Sequence, residues 1–273
     1  MAFAGRWRAG APVTDRFVLD PGAWRIDGGR VLFGGSPLRM YRLSAGGARL
    51  IDRIESGETL GRGHARLTER FLDAGVIHPV PEPDRGPHPA DVTLVIPAYQ
   101  ADPDAIARLV AVTGAARAIV VDDASPTPLG PIAGAEVIRL AVNRGPGGAR
   151  AAGLAAVTTP FVAFLDADTH PQPGWLSGLL DHFADERVAL VAPRASSLPS
   201  AGRVARFEEW RSPLDLGPTP ARIRAGTRVS YVPGAALLCR TDALGAIGGF
   251  DASLRFGEDV DLGERRGDVE RLE

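Results

Sequence analysis

The sequence Phe161-Val-Ala-Phe-Leu-Asp-Ala-Asp168 joins five apolar residues that favour a β-strand to a pair of aspartates. Three similar apolar runs precede it, at residues 92–96, 118–121 and 137–140, and Ala-rich segments of helical character separate them. Short apolar runs without alternation are typical of parallel strands that are buried on both faces of a sheet. Residues 92–262 are therefore predicted to form an α/β domain with right-handed crossovers.

A proline-rich segment separates this domain from the residues before it. Residues 79–91 contain five prolines, which fix φ and remove the backbone donors that a helix or a central strand needs. Before this linker, residues 1–78 are predicted to form a small α+β domain of winged-helix-like type. Its sequence indicates a hairpin at 24–34 and two helices at about 44–56 and 64–74.

The composition excludes several classes of protein. All 31 basic residues are arginines, so the lysines of Schiff-base enzymes, P-loop enzymes and kinases are missing. The net charge is −2 and the charges are scattered, so nucleic acid is not an expected partner. Cys239 lies in an apolar run and is expected to be buried. No apolar stretch has the length of a membrane span, and a cytoplasmic location is expected.

Aspartates follow two of the predicted strands. Asp122 and Asp123 come directly after one strand, and Asp166 and Asp168 follow another. Ligand sites of open α/β sheets lie beyond the carboxyl ends of the strands, so these residues are expected at one edge. At an extended strand end, residues two apart point the same way, which would let Asp166 and Asp168 reach one divalent cation. The alternative is that one of them caps a helix and the other closes a turn.

Two further segments carry polar groups that are suited to a site. The Gly-rich turn at residues 143–150 opens a helix, and its backbone donors could hold a diphosphate beside Arg150. It could equally be an ordinary strand-to-helix turn with Pro146 at the first helical position. The acidic residues at 258–261 are typical of a site that handles a cation or a proton, or of a solvated helix start.

Six short motifs occur in the order that is found in family 2 glycosyltransferases with the GT-A fold. They lie at residues 92–99, 121–125, 148–154, 164–168, 248–251 and 257–262. The chain resembles this family, and the resemblance implies a Rossmann-like, mostly parallel sheet. Further similarity, to the branch that serves mycofactocin biosynthesis, lies at residues 32–37, 188–194, 214–217 and 229–233.

The resemblance implies a role for each matching residue. Pro97 and Tyr99 would flank the nucleoside, and Asp123, with Asp122 beside it, would bind the uracil of a UDP-sugar. Asp166 and Asp168 would hold the ribose and Mn²⁺ or Mg²⁺ against the diphosphate. Arg150 would offset charge on the departing UDP, Asp259 would be the base, and Glu258 would contact the substrate.

The implied reaction is the inverting transfer of glucose from UDP-glucose to a hydroxyl of a small peptide-derived acceptor, which could dock on the small domain. The family motif Ala-Arg-Asn reads Ala-Arg-Ala at residues 149–151, which removes one polar group. Residues 263–273 are expected to form a charged tail. Longer family members continue at this point into membrane helices, and these longer proteins would lie at the inner face of the membrane. A truncated protein that binds UDP-sugar or acceptor without turnover is the alternative. A nucleotide-sugar pyrophosphorylase or a dehydrogenase is disfavoured, because the lysines and the glycine fingerprint are missing.

Overall fold

The computed structural model describes residues 14–198, 201–224 and 226–269. The first part of the chain forms a small α+β unit. Its elements are β1 (Phe17–Leu19), β2 (Trp24–Ile26), β3 (Val31–Gly34), β4 (Arg39–Arg42), α1 (Ala45–Glu55), α2 (Ala65–Asp73) and β5 (Ile77–Pro79). Strands β2, β3 and β4 form an antiparallel sheet in that order, and β1 pairs with β5.

Local sequence signals account for the elements of the small unit. The predicted hairpin is confirmed, because Asp27, Gly28 and Gly29 adopt positive φ between β2 and β3. Both predicted helices are confirmed as well: the Ser44 hydroxyl accepts the Gly47 N–H at the start of α1, and Gly75 follows α2 at a φ of 67°. The two helices and one face of the sheet enclose a core around Leu32 and Phe71.

The second part of the chain is an α/β unit built on one six-stranded sheet. Its elements are β6 (Val92–Ala98), α3 (Pro103–Thr113), β7 (Arg117–Asp122), β8 (Glu136–Arg139), α4 (Gly145–Ala155), β9 (Phe161–Leu165), α5 (Trp175–Leu180), β10 (Leu190–Val191), α6 (Arg203–Arg211), β11 (Ala236–Arg240), α7 (Thr241–Ala246) and α8 (Glu258–Val269). The strand order is β10-β11-β9-β6-β7-β8, and β11 runs antiparallel to both of its neighbours.

The sheet is buried on both faces, as the continuous apolar runs predict. Residues that alternate along β6 enter two different cores: Leu94 and Ile96 pack on one side, and Val95 packs on the other. Helix α4 lies directly on the second face, because a Cβ at Gly153 would come within 2.4 Å of a Val95 methyl group. This close approach fixes the position of α4 relative to the strand ends.

The end of the α/β unit differs from the sequence expectation. Helix α8 continues past residue 262 to Val269, where a charged tail without packing is predicted. Arg265 holds this part of the helix in place, because its guanidinium donates to Asp261 and to the carbonyls of Ile247 and Gly249. Hydrogen bonds of this kind leave no apolar pattern in the sequence, so the sequence does not indicate this part of the helix. Throughout the described residues, no helix has the length and apolar character needed to cross a bilayer.

Candidate active site

One edge of the six-stranded sheet collects the acidic residues that follow the strands. Strands β6, β7 and β9 run parallel, so Asp122 at the end of β7 and Asp166 after β9 lie at the same edge. The antiparallel strand β11 begins at this edge, and Ala236 is paired with Leu165. The first turn of α8 contributes Glu258 and Asp259 to the same cluster through the contacts described next.

Arg150 is the centre of this cluster. Its side chain is only 2% exposed. The Nη1 atom donates to Glu258 Oε1 at 2.5 Å, and Nη2 donates to Asp166 Oδ1 at 2.5 Å and to the Gly234 carbonyl at 3.0 Å. The guanidinium therefore joins α4, the end of β9, the residues before β11 and the start of α8. Its charge is paired with two carboxylates of the protein, and the role toward UDP that the resemblance implies stays a prediction.

Glycines permit the close packing around Arg150. A Cβ at Gly147 would lie 3.1 Å from the Cβ of Glu258, and a Cβ at Gly234 would lie 3.0 Å from the guanidinium nitrogens of Arg150. Both positions therefore have little room for a larger residue. Sequence reasoning missed Gly234, although its place in the motif Val-Pro-Gly just before β11 could have marked it.

The Gly-rich turn is organised around an internal carboxylate. Helix α4 begins at Gly145, and the N–H groups of Arg144 and Gly145 donate to the two oxygens of Asp123, each at 2.8 Å. Two donors at this helix start are thus already satisfied, and the negative charge of Asp123 suits the positive end of the helix. In this structure the ordinary strand-to-helix turn describes the segment better than a diphosphate cradle.

Asp122 also faces inward. It is fully buried, and its carboxylate accepts the N–H groups of Ser125 and Leu129 and a guanidinium donor of Arg139. Burial by itself raises the pKa of Asp122, but these hydrogen bonds outweigh it and hold the pKa below its ordinary value. Both aspartates therefore organise the loop after β7, and their contacts with uracil stay a prediction.

The pair Asp166 and Asp168 lies in a turn. Strand β9 ends at Leu165, and the Asp166 carbonyl accepts both the N–H and the hydroxyl of Thr169. The extended geometry that predicts parallel side chains is therefore wrong for these two residues. Burial raises the pKa of Asp166, Arg150 opposes the shift, and the nearby charges of Asp168 and Glu258 add to it, so the pKa lies above its ordinary value.

The donor set fits a divalent cation, although no metal site is fully formed. Among the described residues, no three His, Cys, Asp or Glu side chains are arranged to hold a metal ion by themselves. The guanidinium of Arg150 pairs with Asp166 and Glu258, and the nearby charge of Asp168 adds to the rise in the pKa of Asp166. Asp168 is exposed, and within the described residues neither it nor Asp166 Oδ2 receives a hydrogen bond. Hard oxygen atoms with open positions suit Mn²⁺ or Mg²⁺.

Asp259 lies beside this group at the start of α8. Its Oδ2 atom accepts the Gly234 N–H at 3.1 Å, and its Oδ1 atom accepts the N–H of Val260 at 2.8 Å. Gly234 therefore links Asp259 to Arg150, because its N–H donates to one and its carbonyl accepts from the other. Asp259 is half-buried, whereas Glu258 is buried against Arg150 and does not face outward as a substrate-binding residue would.

The two residues predicted to flank a nucleoside lie at the same edge. Pro97 is a half-buried residue of β6, and Tyr99 follows the strand with about half of its surface exposed. The Ala98 carbonyl between them accepts the N–H of Asp123, which ties the ends of β6 and β7 together. The side chain of Tyr99 is thus accessible to solvent at this edge of the sheet.

The fold and this edge define the class of the protein. A sequence model described as "Glycosyl transferase family 2" matches residues 93–244, more than half of the chain, and the chain belongs to this family. Its mostly parallel six-stranded sheet, flanked by helices, is the α/β architecture of the GT-A fold.

Two kinds of curated protein are similar in sequence to this chain. The chain is 44% identical over 243 residues to the pre-mycofactocin glycosyltransferase of Mycobacterium tuberculosis, which covers 86% of this chain and 50% of the relative. The succinoglycan biosynthesis protein ExoU of Rhizobium meliloti is 34% identical over 194 residues, which cover 64% of this chain and 56% of that protein. The chain thus spans about half the length of the curated relatives it matches.

Solved structures also resemble this chain, at low sequence identity. The mannosyltransferase PcManGT from Pyrobaculum calidifontis, solved in complex with GDP-Man and Mn²⁺, has a TM-score of 0.49 and 18% identity, and covers 76% of this chain and 58% of its own. TarS from S. aureus has a TM-score of 0.47 and 19% identity, and covers 64% and 54% respectively.

Proposed function

We propose that this chain transfers a hexose, glucose from UDP-glucose, to a hydroxyl group of a small peptide-derived acceptor of the pre-mycofactocin type. The observation that carries the proposal is the convergence of Asp166, Glu258 and Asp259 on Arg150 and the Gly234 peptide. The family match and the 44% identity to the pre-mycofactocin glycosyltransferase support the reaction class and the acceptor. We propose a cytoplasmic location, because the donor would be a nucleotide sugar, and the inner face of the membrane for a longer form.

Asp259 is the proposed base. The acceptor oxygen would form a bond to the anomeric carbon while the bond from that carbon to the UDP oxygen breaks. UDP would leave with the bonding electrons, and the hydroxyl proton would pass to the Asp259 carboxylate. The Gly234 N–H holds this carboxylate close to the residues around Arg150. A single displacement of this kind inverts the configuration at the anomeric carbon.

Asp166 and Asp168 are the proposed holders of Mn²⁺ or Mg²⁺. Asp166 offers Oδ2, since Arg150 occupies Oδ1, and Asp168 is exposed to solvent at the same turn. When bound, the cation would offset negative charge on the diphosphate of the donor. Arg150 keeps Asp166 in place for this purpose, and Tyr99 would flank the nucleoside.

A cavity between the two units supports acceptor docking on the small unit. It has a volume of about 160 Å³, and its lining includes Asp20, Ser36, Asp73, Gly75, His78, Ala221, Arg222, Arg224, Thr227, Arg228 and Val229. His78 is buried in its wall, where its Nε2 atom lies 2.7 Å from Asp20 Oδ2. Val229 lies five positions before Gly234, so these two residues are at most about 18 Å apart, and the Gly234 N–H donates to the proposed base Asp259. A small acceptor could therefore be anchored at one end and react at the other.

A UDP-release assay tests the proposed reaction. The chain is incubated with UDP-glucose and Mn²⁺, with and without pre-mycofactocin, and UDP is measured. Acceptor-dependent release supports the transferase, whereas binding of UDP-glucose by calorimetry without any release shows a protein that binds without turnover. For the cavity, Arg224→Ala should raise the KM for the acceptor and leave the KM for UDP-glucose unchanged. Arg108→Ala, at an exposed position of α3, is the control.

A further inference from the structure

The lining of the cavity between the two units is rich in arginine. Arg222, Arg224 and Arg228 line it from the segment after α6, and Asp20 and Asp73 line it from the small unit. Three guanidinium groups thus share with two carboxylates the lining of a space of about 160 Å³, which gives that lining a net positive charge. A polar space of this size has room for several water molecules or for a small charged group.

The two aspartates of the cavity are already paired within the protein. Asp20 Oδ1 accepts the N–H of Gly22 at 2.8 Å, and Asp20 Oδ2 lies 2.7 Å from His78 Nε2. Asp73 Oδ1 accepts a guanidinium donor of Arg222. Three of the four carboxylate oxygens therefore have a partner within the described residues, and little negative charge is left to attract a cationic ligand.

Two of the three arginines, in contrast, have no carboxylate partner in the part of the chain that the structure describes. Arg224 donates from Nη1 to the backbone carbonyl of Asp73 at 3.2 Å, and this is the one hydrogen bond that its guanidinium makes to a described residue. The guanidinium of Arg228 donates to three backbone carbonyls. The backbone N–H of Arg228 donates to the Ser36 hydroxyl at 2.5 Å, so the proton of that hydroxyl stays available to a ligand. Unused donors beside uncompensated positive charge are suited to an oxyanion.

We propose that this cavity binds an oxyanionic group, a carboxylate or a phosphate, with Arg224 as its principal donor. The planar guanidinium of an arginine matches two oxygens of such a group, and the Ser36 hydroxyl supplies a further donor. The inference rests on the proposed function only for the source of this group, which is either the acceptor itself or a free ion.

A phosphate titration followed by NMR tests the proposal on the full chain. The ring signals of His78, which is buried and lines the cavity, are the reporter, and the sequence has only five histidines to resolve. Inorganic phosphate, added at constant pH and ionic strength, should shift the His78 signals along a saturating curve. The exposed His88 of the linker does not line the cavity, so its signals should not follow that curve.

A pair of arginine variants locates the binding. Arg224→Gln should raise the phosphate concentration at half-saturation by about tenfold, because charge-assisted hydrogen bonds are lost. Arg206→Gln, at an exposed position of α6 outside the cavity lining, should titrate like the unmodified chain. Circular dichroism checks that both variants fold. Equal weakening in the two variants, or no saturable shift of the His78 signals in the unmodified chain, would overturn the proposal.

A kinetic measurement identifies the source of the oxyanion. If the acceptor carries it, phosphate should raise the KM for the acceptor through competition, whereas a site for a free ion would leave that KM unchanged. Either result supports an oxyanion site and names its ligand. The NMR titration needs no transfer reaction, so a chain that binds phosphate in the cavity but releases no UDP would contradict the proposed function and leave this inference standing.

Discussion

Arg150 and Glu258 lie 108 residues apart in the sequence, yet Arg150 Nη1 lies 2.5 Å from Glu258 Oε1. Both side chains are buried, and the contact joins the helix after the Gly-rich turn to the helix that carries the proposed base. The second guanidinium nitrogen holds Asp166 and the Gly234 carbonyl. The position of Asp259 relative to Asp166 therefore depends on one guanidinium group.

Arg150→Met should destabilise the protein by about 3–5 kcal/mol, because it leaves two carboxylates without their buried partner. Urea unfolding measures the change. Arg85→Met removes an exposed ion pair with Glu82 and should cost no more than about 1 kcal/mol. Equal losses in the two variants would show that the Arg150 cluster has no special part in stability.

Asp259→Asn should stop transfer and leave the affinity for UDP-glucose nearly unchanged, because an amide cannot accept the proton. The rate should fall by about two to four orders of magnitude. Transfer is measured as UDP release, and donor affinity by calorimetry. Asp261→Asn is the control, since Asp261 lies in the same turn of α8 but pairs with Arg265. Normal turnover by Asp259→Asn would place the base elsewhere.

Asp168→Ala should abolish metal-dependent binding of UDP-glucose. The side chain is exposed, so the free energy of unfolding should change little while the proposed cation site loses a ligand. Titration calorimetry with and without Mn²⁺ measures the metal-dependent binding of UDP-glucose, and urea unfolding measures the stability. Asp104→Ala, at an exposed position in the first turn of α3, should bind as the unmodified chain does. Unchanged metal-dependent affinity in Asp168→Ala would contradict the assignment.

The strands and their common edge could be predicted from the sequence because both depend on local patterns. The apolar runs that end at Ile96 and Leu165 determine where buried strands lie, and parallel strands bring the residues after them to one edge. Asp166 follows from this reasoning, whereas Asp259 lies in α8, after no predicted strand, and is indicated by the motif at residues 257–262. The same reasoning found α1, since Ser44 at its start and Gly57 after its end are local signals.

The partners of the polar side chains could not be predicted, because they depend on contacts between distant segments. Arg150 looked available for a diphosphate, but Glu258 and Asp166 reach it only after folding. Asp123 looked available for uracil, but the start of α4 bends back so that two N–H groups meet its oxygens. No spacing in the sequence distinguishes a carboxylate that binds a ligand from one that binds the backbone.

Asp166→Asn should stabilise the protein at neutral pH, and the gain should disappear in acid. Burial raises the pKa of Asp166 above its ordinary value, so the ionised form is disfavoured in the folded state. As the pH falls through this raised pKa, folded Asp166 takes up a proton and the difference in stability between the two proteins begins to shrink. It vanishes below the ordinary pKa, where the unfolded chain is protonated as well. Urea unfolding of both proteins over a series of pH values measures this difference in the free energy of unfolding.

In the same unfolding experiment, Asp122→Asn should change the free energy of unfolding at neutral pH in the direction opposite to that of Asp166→Asn. Hydrogen bonds hold the pKa of Asp122 below its ordinary value despite burial, so its ionised form contributes stability at neutral pH. Asp122→Asn should therefore be less stable than the unmodified chain at neutral pH, and that deficit should shrink as the pH falls through the lowered pKa. If both variants moved in the same direction with pH, then the two carboxylates would not differ as their hydrogen bonds and burial require.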